Sequence, residues 1–159
     1  MHTDSDRPAC TSTAAGHERN HIGAPVAARA VLWVERDTFA RRAIAPLLQQ
    51  LGFKVTFAAD AFQAMNIVAE DLRAFDIVVM DSDLPDLDAV ELAHYLRSAR
   101  ADWRLLLCCG ADAEWMRDWV HEAEFPCDQL LVRPLDVTKL EAALRQAQAG
   151  AAGVSARRA

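Results

Sequence analysis

The stretch Asp76-Ile-Val-Val-Met-Asp81-Ser-Asp-Leu-Pro85-Asp-Leu-Asp88-Ala-Val-Glu-Leu92 carries the deciding pattern. Four apolar residues, 77–80, stand between two aspartates. An unbroken apolar run of this length reads as a strand buried on both faces, the kind that parallel sheets contain. A strand with one wet face would instead alternate apolar and polar residues. A polar loop with Pro85 follows. A helical segment over 88–99 comes next, with Val90, Leu92, Ala93 and Leu96 as its apolar set.

The same unit recurs on both sides. Residues 30–34 (Ala-Val-Leu-Trp-Val) form an apolar run ending at Glu35. The segment 38–51 has helical period, with Phe39, Ala43, Leu47, Leu48 and Leu51 as the expected buried stripe. Pro46 is expected to bend or shorten it, and Gly52 to stop it. Residues 55–58 read as a short strand, and 61–72 as a helix with Ala64, Met65 and Val68 inward. Residues 105–109 (Leu-Leu-Leu-Cys-Cys) are a strand, and 113–124 a helix. Residues 130–132 are a strand closed by Arg133-Pro134, and 137–146 the last helix. Five strand–helix units predict an α/β protein with a central parallel five-stranded sheet in a three-layer sandwich, joined by right-handed crossovers.

The 159 residues suit one domain with tails. Residues 1–28 lack any sustained period and read as a disordered N-terminal tail. The folded domain is expected over 29–147, with a flexible tail over 148–159. A net charge of −6 disfavours nucleic acid as a partner. No run approaches the roughly 20 apolar residues of a membrane span, and no signal-peptide segment opens the chain, so a cytoplasmic location is expected. The cysteines (10, 108, 109, 127) form no C-x-x-C pair and share no ligand spacing with the five histidines. Reduced thiols are expected and a zinc site is not. A redox role for Cys108 and Cys109 would need an exposed thiolate. No glycine-rich phosphate loop supports a nucleotide site, although Arg36, Arg41, Arg42 and Arg133 could meet an anion.

In a doubly wound sheet the working site lies at the carboxyl ends of the strands. Those ends carry Glu35-Arg36-Asp37, Asp81-Ser82-Asp83, Cys108-Cys109-Gly110 and Arg133-Pro134. Their convergence gathers an acidic pocket of Glu35, Asp81, Asp37 and Asp83 beside Arg36 and Arg133.

These residues resemble the receiver domains of response regulators. Residues 76–92 are similar to the family's phosphoacceptor strand and loop, and 31–35 to its first strand and acidic end. Arg133-Pro134-Leu135 resembles its Lys-Pro-Phe corner. Leu51-Gly52-Phe53-Lys-Val55 and Ala58-Ala59-Asp60-Ala61 are similar to the family's exits from the first helix and second strand. The likeness spans about 29–147. It implies a flavodoxin-like sheet of order 2-1-3-4-5 and a signalling module of two-component systems rather than an enzyme. By position, Asp81 is the phosphoacceptor and the carbonyl of Asp83 a metal donor. A magnesium ion neutralises the charge of the transferred phosphoryl group in that family.

The departures are specific. Arg36 stands where the family has a metal-binding carboxylate, and a fixed cation there weakens any magnesium site. Asp37, one residue on, is a poor substitute. Cys109 replaces the switch hydroxyl, and its thiol is a weak donor. Arg133 replaces the lysine, keeping charge but changing reach. Asp86 and Ala89 replace usual glycines. Either Arg36 or Arg133 could pair with Asp81 in the metal's place, or Arg36 could turn to solvent. The expectation is a stand-alone atypical receiver, a pseudo-receiver. It would work by protein contact with impaired or absent phosphorylation and no resident cofactor. The alternative is a working phosphoacceptor with a non-standard pocket, serving as a relay intermediate or phosphate sink.

Trp115 and Trp119 lie four apart in the 113–124 segment and share a helix face. They either fold over a local groove or, with Leu130, mark an interaction face. The resemblance implies a histidine kinase, phosphotransfer protein or other target as partner, and a face that could also serve a homodimer.

Overall fold

The computed structural model describes residues 29–111 and 126–155. Five strands, β1 (Arg29–Val34), β2 (Phe53–Ala58), β3 (Ile77–Asp81), β4 (Arg104–Cys109) and β5 (Gln129–Val132), form one sheet of order β2-β1-β3-β4-β5. Every neighbouring pair is parallel. Helices α1 (Thr38–Gln50), α2 (Ala61–Glu70), α3 (Ala89–Ala99) and α4 (Val137–Ser155) complete the described elements. The predicted helix at 113–124, with Trp115 and Trp119, lies outside the described residues, as does the 1–28 segment. No helix among the described residues is long and apolar enough to cross a membrane.

Alternation along the strands sends side chains to two apolar layers. Leu32, Val34, Val78, Met80, Leu105 and Leu107 face α2 and α3, packing on Ala64, Val68, Leu92 and Leu96. Val31, Trp33, Ile77, Val79, Leu106 and Cys108 face α1 and α4, packing on Ile44, Leu48, Leu140 and Leu144. Burial on both sides explains why the strands read as continuous apolar runs. Trp103 is fully buried in the first layer, and its Nε1 donates to Phe75 O at 2.9 Å.

Aspartates start most of the helices, because a short carboxylate can take the free N–H groups of a first turn. Asp37 accepts from Phe39 N, Asp60 from Gln63 N, Asp88 from Val90 N and Asp136 from Thr138 N.

Two expectations need correction. The buried stripe of α1 is Ile44 and Leu48, with Ala40 and Leu51 beside them, while Phe39 is 81% exposed and Ala43 faces solvent. The stripe is offset from the expected one, and α1 runs through Pro46 to Gln50. The last helix also continues past 146 to Ser155, so residues 148–155 are helical rather than a flexible tail. Its alanines favour the helix, and Arg29 Nη1 donates to Gln148 O at 3.5 Å. Gly150 gives Arg104 room: a Cβ there would sit 2.6 Å from the Arg104 Nη2.

Candidate functional site

The carboxyl ends of β1, β3 and β5 meet at three charged side chains. Glu35 follows β1 and is fully buried; its backbone N–H donates to Ala58 O at 2.9 Å. Asp81 ends β3 and is 6% exposed. Arg133 follows β5, and its backbone N–H donates to Cys109 O at 2.8 Å. From there its Nη2 reaches between the acids, bonding Glu35 Oε2 and, at 3.1 Å, Asp81 Oδ2. The peptide bond between Arg133 and Pro134 is cis.

The other two carboxylate oxygens take backbone N–H groups. Asp37 N donates to Glu35 Oε1 at 2.9 Å, and Asp83 N donates to Asp81 Oδ1 at 3.3 Å. Each oxygen of the buried acids therefore has a donor, as buried charges require. Burial pushes the Asp81 carboxyl above its ordinary range. The Arg133 charge and the Asp83 N–H pull it back, while the charges of Glu35 and Asp83 push it further up. For Arg133, desolvation works against its charge, but Asp81 and Glu35 outweigh it and hold the guanidinium above its usual range.

The remaining predicted residues divide clearly. Asp37 is no part of the pocket's side-chain lining. Its carboxylate points to the α1 N-terminus and caps it, and only its N–H touches Glu35. Asp83 likewise contributes its N–H, while its side chain is 80% exposed and lies 3.8 Å from the Arg36 guanidinium. Arg36 faces outward, because Glu35 faces inward and successive extended residues point to opposite sides. An ion pair this exposed is worth little.

Cys109 is buried, and its Sγ donates to Leu131 O at 3.6 Å, directing the thiol toward β5. Cys108 pairs in register with Asp81, but its side chain lies in the second apolar layer. Burial pushes that thiol up to about 12 and that of Cys127 up to about 11. A Cys108 thiol held so high is not a thiolate at neutral pH, so Cys108 lacks the exposed thiolate a redox role needs. Leu130, expected on an exposed face, is half-buried against the first layer.

One contact escapes sequence reasoning. The Asp86 carboxylate accepts from Ala61 N at 3.0 Å and Phe62 N at 2.8 Å, joining the loop after β3 to α2. Its partners lie 24 and 25 residues earlier, beyond the reach of any local capping rule.

The family described as response regulator receiver domain matches residues 31–145. Response regulator MprA of Mycobacterium leprae is 29% identical over 115 residues, covering 72% of this chain and 49% of that protein. The two-component response regulator ARR10 of Arabidopsis thaliana is 29% identical over 117 residues, covering 74% of this chain and 20% of that protein. The chain thus spans about half, or less, of the length of these relatives. Among solved structures, the signal receiver domain of an HD domain-containing protein from Pseudomonas fluorescens Pf-5 superposes with a TM-score of 0.69 at 26% identity. That match covers 79% of this chain and 98% of the other. The chemotaxis response regulator CheY4 of Vibrio cholerae, at 22% identity and a TM-score of 0.66, shares the fold, over 76% of this chain and 98% of that one.

Proposed function

The chain belongs to the response regulator receiver domain family of two-component signalling, and from that premise we propose that it is an atypical receiver whose acidic pocket is closed by its own arginine. The observation that carries this is the single Arg133 nitrogen bonded to both Glu35 and Asp81. A phosphoacceptor carboxylate must present an oxygen to phosphorus while cations neutralise the transferred charge. Here Oδ2 of Asp81 is engaged by a guanidinium, and Oδ1 by the Asp83 N–H.

The donor set does not fit the magnesium ion that the family uses. Magnesium is ordinarily held by one or two carboxylates with several waters, and here the oxygens of both acids are already engaged, Glu35 by Arg133 and the Asp37 N–H and Asp81 by Arg133 and the Asp83 N–H. Among the described residues no group of three or more His, Cys, Asp or Glu side chains is gathered to hold a metal. Arg36 adds a further positive charge at the mouth, 3.8 Å from Asp83. Arg133 takes the place of the metal's charge without its open coordination positions. Phosphorylation of Asp81 is accordingly slow or absent, and the protein signals through contacts with a partner protein. A histidine kinase, a phosphotransfer protein or another target fits the family.

A second reading has one observation in its favour. Arg133 is one-third exposed, so it could swing away or stabilise transferred charge as an arginine does in other phosphoryl transfers. Asp81 would then serve as a relay intermediate or phosphate sink. Intact-mass measurement of the full chain after incubation with acetyl phosphate and Mg²⁺ separates the two. The proposal expects no adduct in the native chain and an adduct in the Arg36→Asp, Arg133→Lys double variant. A stoichiometric adduct on native Asp81, lost in Asp81→Asn, would support the second reading.

A further inference from the structure

The loop 82–88 leaves β3 directly after Asp81 and is fastened at almost every step. Ser82 N donates to Cys108 O at 2.8 Å. Asp83 N donates to Asp81 Oδ1. Leu84 and Leu87 pack on the first apolar layer, and Asp88 caps α3. The remaining anchor is Asp86, whose two oxygens take the N–H groups of Ala61 and Phe62.

This anchor exceeds what capping requires. Asp60 already caps α2 by accepting from Gln63 N at 2.7 Å. A capping side chain ordinarily takes one of the first N–H groups of a helix and leaves the others to water or to further partners. In this protein a carboxylate from another element takes two of them, in charge-assisted bonds at the positive end of the helix. Slight burial pushes the Asp86 carboxyl up, but the Phe62 and Ala61 N–H groups outweigh it and hold the group below its usual range. Asp86 is exposed, so backbone N–H groups hold the side chain rather than packing: those of Ala61 and Phe62 across the fold, and those of Asp86 and Leu87 locally.

We infer that Asp86 is a positioning residue that locks the loop after β3 to the N-terminus of α2 and thereby keeps the Asp83 N–H on Asp81. The loop and α2 move as one unit. The exposed Phe62 and Pro85 keep fixed places relative to one another. The lock rests on contacts separate from the Arg133 bridge, so it stands whether or not Asp81 accepts a phosphoryl group.

Amide hydrogen exchange by NMR on the full chain tests it, comparing native protein with Asp86→Gly and Asp86→Asn. In Asp86→Gly the Ala61 and Phe62 amides exchange about tenfold faster, the scale set by losing a hydrogen bond. The Asp83 amide speeds up with them, and the Asp81 side-chain carboxyl ¹³C resonance shifts. Leu107 and Leu144, in β4 and α4, keep their native rates. Asp86→Asn, which retains one acceptor oxygen, falls between. Acceleration confined to Ala61 and Phe62, with the Asp83 amide and the Asp81 carboxyl unmoved, would reduce Asp86 to a local cap and overturn the inference. Should Asp86→Gly also loosen Leu107 and Leu144, Asp86→Asn decides by the same signals.

Discussion

Arg133 Nη2 lies 3.1 Å from Asp81 Oδ2 and bonds Glu35 Oε2 through the same nitrogen, so one guanidinium joins the tips of three strands. In the proposed reading the bridge fills the position from which a receiver would react. It also leaves two buried acids dependent on one base.

Removing that base is therefore costly. Arg133→Gln leaves Glu35 and Asp81 buried with a neutral neighbour. Losing one partner of a buried pair costs about 3–5 kcal/mol, and the one-third exposure of Arg133 reduces this to about 2 kcal/mol. Urea unfolding of the variant should show that loss. Adding Asp81→Asn should recover part of it, giving a double-mutant coupling of about 1 kcal/mol or more.

The same contact governs the titration of Asp81. Its folded pKa lies above the unfolded value because burial outweighs Arg133. Stability from the protonated form is present below the unfolded carboxylate pKa of about 3.9 and is lost as pH rises through the folded value. In Arg133→Gln the strongest downward influence is gone, so the Asp81 midpoint moves up. A ¹³C carboxyl titration reads this directly; an unchanged or lower midpoint would contradict the bridge.

Asp86 titrates in the opposite sense. Its folded pKa lies below the unfolded one. Its contribution is thus present above the unfolded value and is lost as pH falls through the depressed folded value. Acid unfolding of Asp86→Asn should lack this component while retaining that of Asp81. Fitting unfolding free energy against pH for the two proteins provides the comparison.

The buried thiol and the two tryptophans give separate checks. Cys108, with its pKa pushed up to about 12, should resist iodoacetamide at pH 8 in the native chain and react only as the chain unfolds. Trp103 Nε1 bonds Phe75 O, whereas Trp33 Nε1 is buried without a hydrogen-bond partner among the described residues. Trp103→Phe should consequently cost about 1 kcal/mol more than Trp33→Phe in urea unfolding.

How much was legible follows from which signals are local. The sheet was readable because its strands are buried on both faces, and Asp76–Leu92 states one whole unit. The α1 stripe was harder: Phe39 and Leu47 suggest one face, but Ile44 and Leu48 set the true one, and Phe39 stays at the solvent-facing start of the helix. The segment from 148 read as a flexible tail, yet Gly150 serves as the seat for Arg104, which only the fold brings near. At the site, sequence placed Glu35, Asp81 and Arg133 together. It left open whether Arg36 or Arg133 reaches Asp81, since that depends on which way each side chain leaves its strand. The Asp86 contact was invisible because its partners lie far away in the chain.

We propose that Arg133 closes the Asp81 pocket against metal and phosphoryl chemistry. Amide NMR of the full chain, titrated with beryllofluoride at saturating Mg²⁺, tests it most directly. The bridge predicts no saturable shift at Asp81, Ser82, Asp83 or Cys109. A saturable, Mg²⁺-dependent shift centred on Asp81 would contradict it.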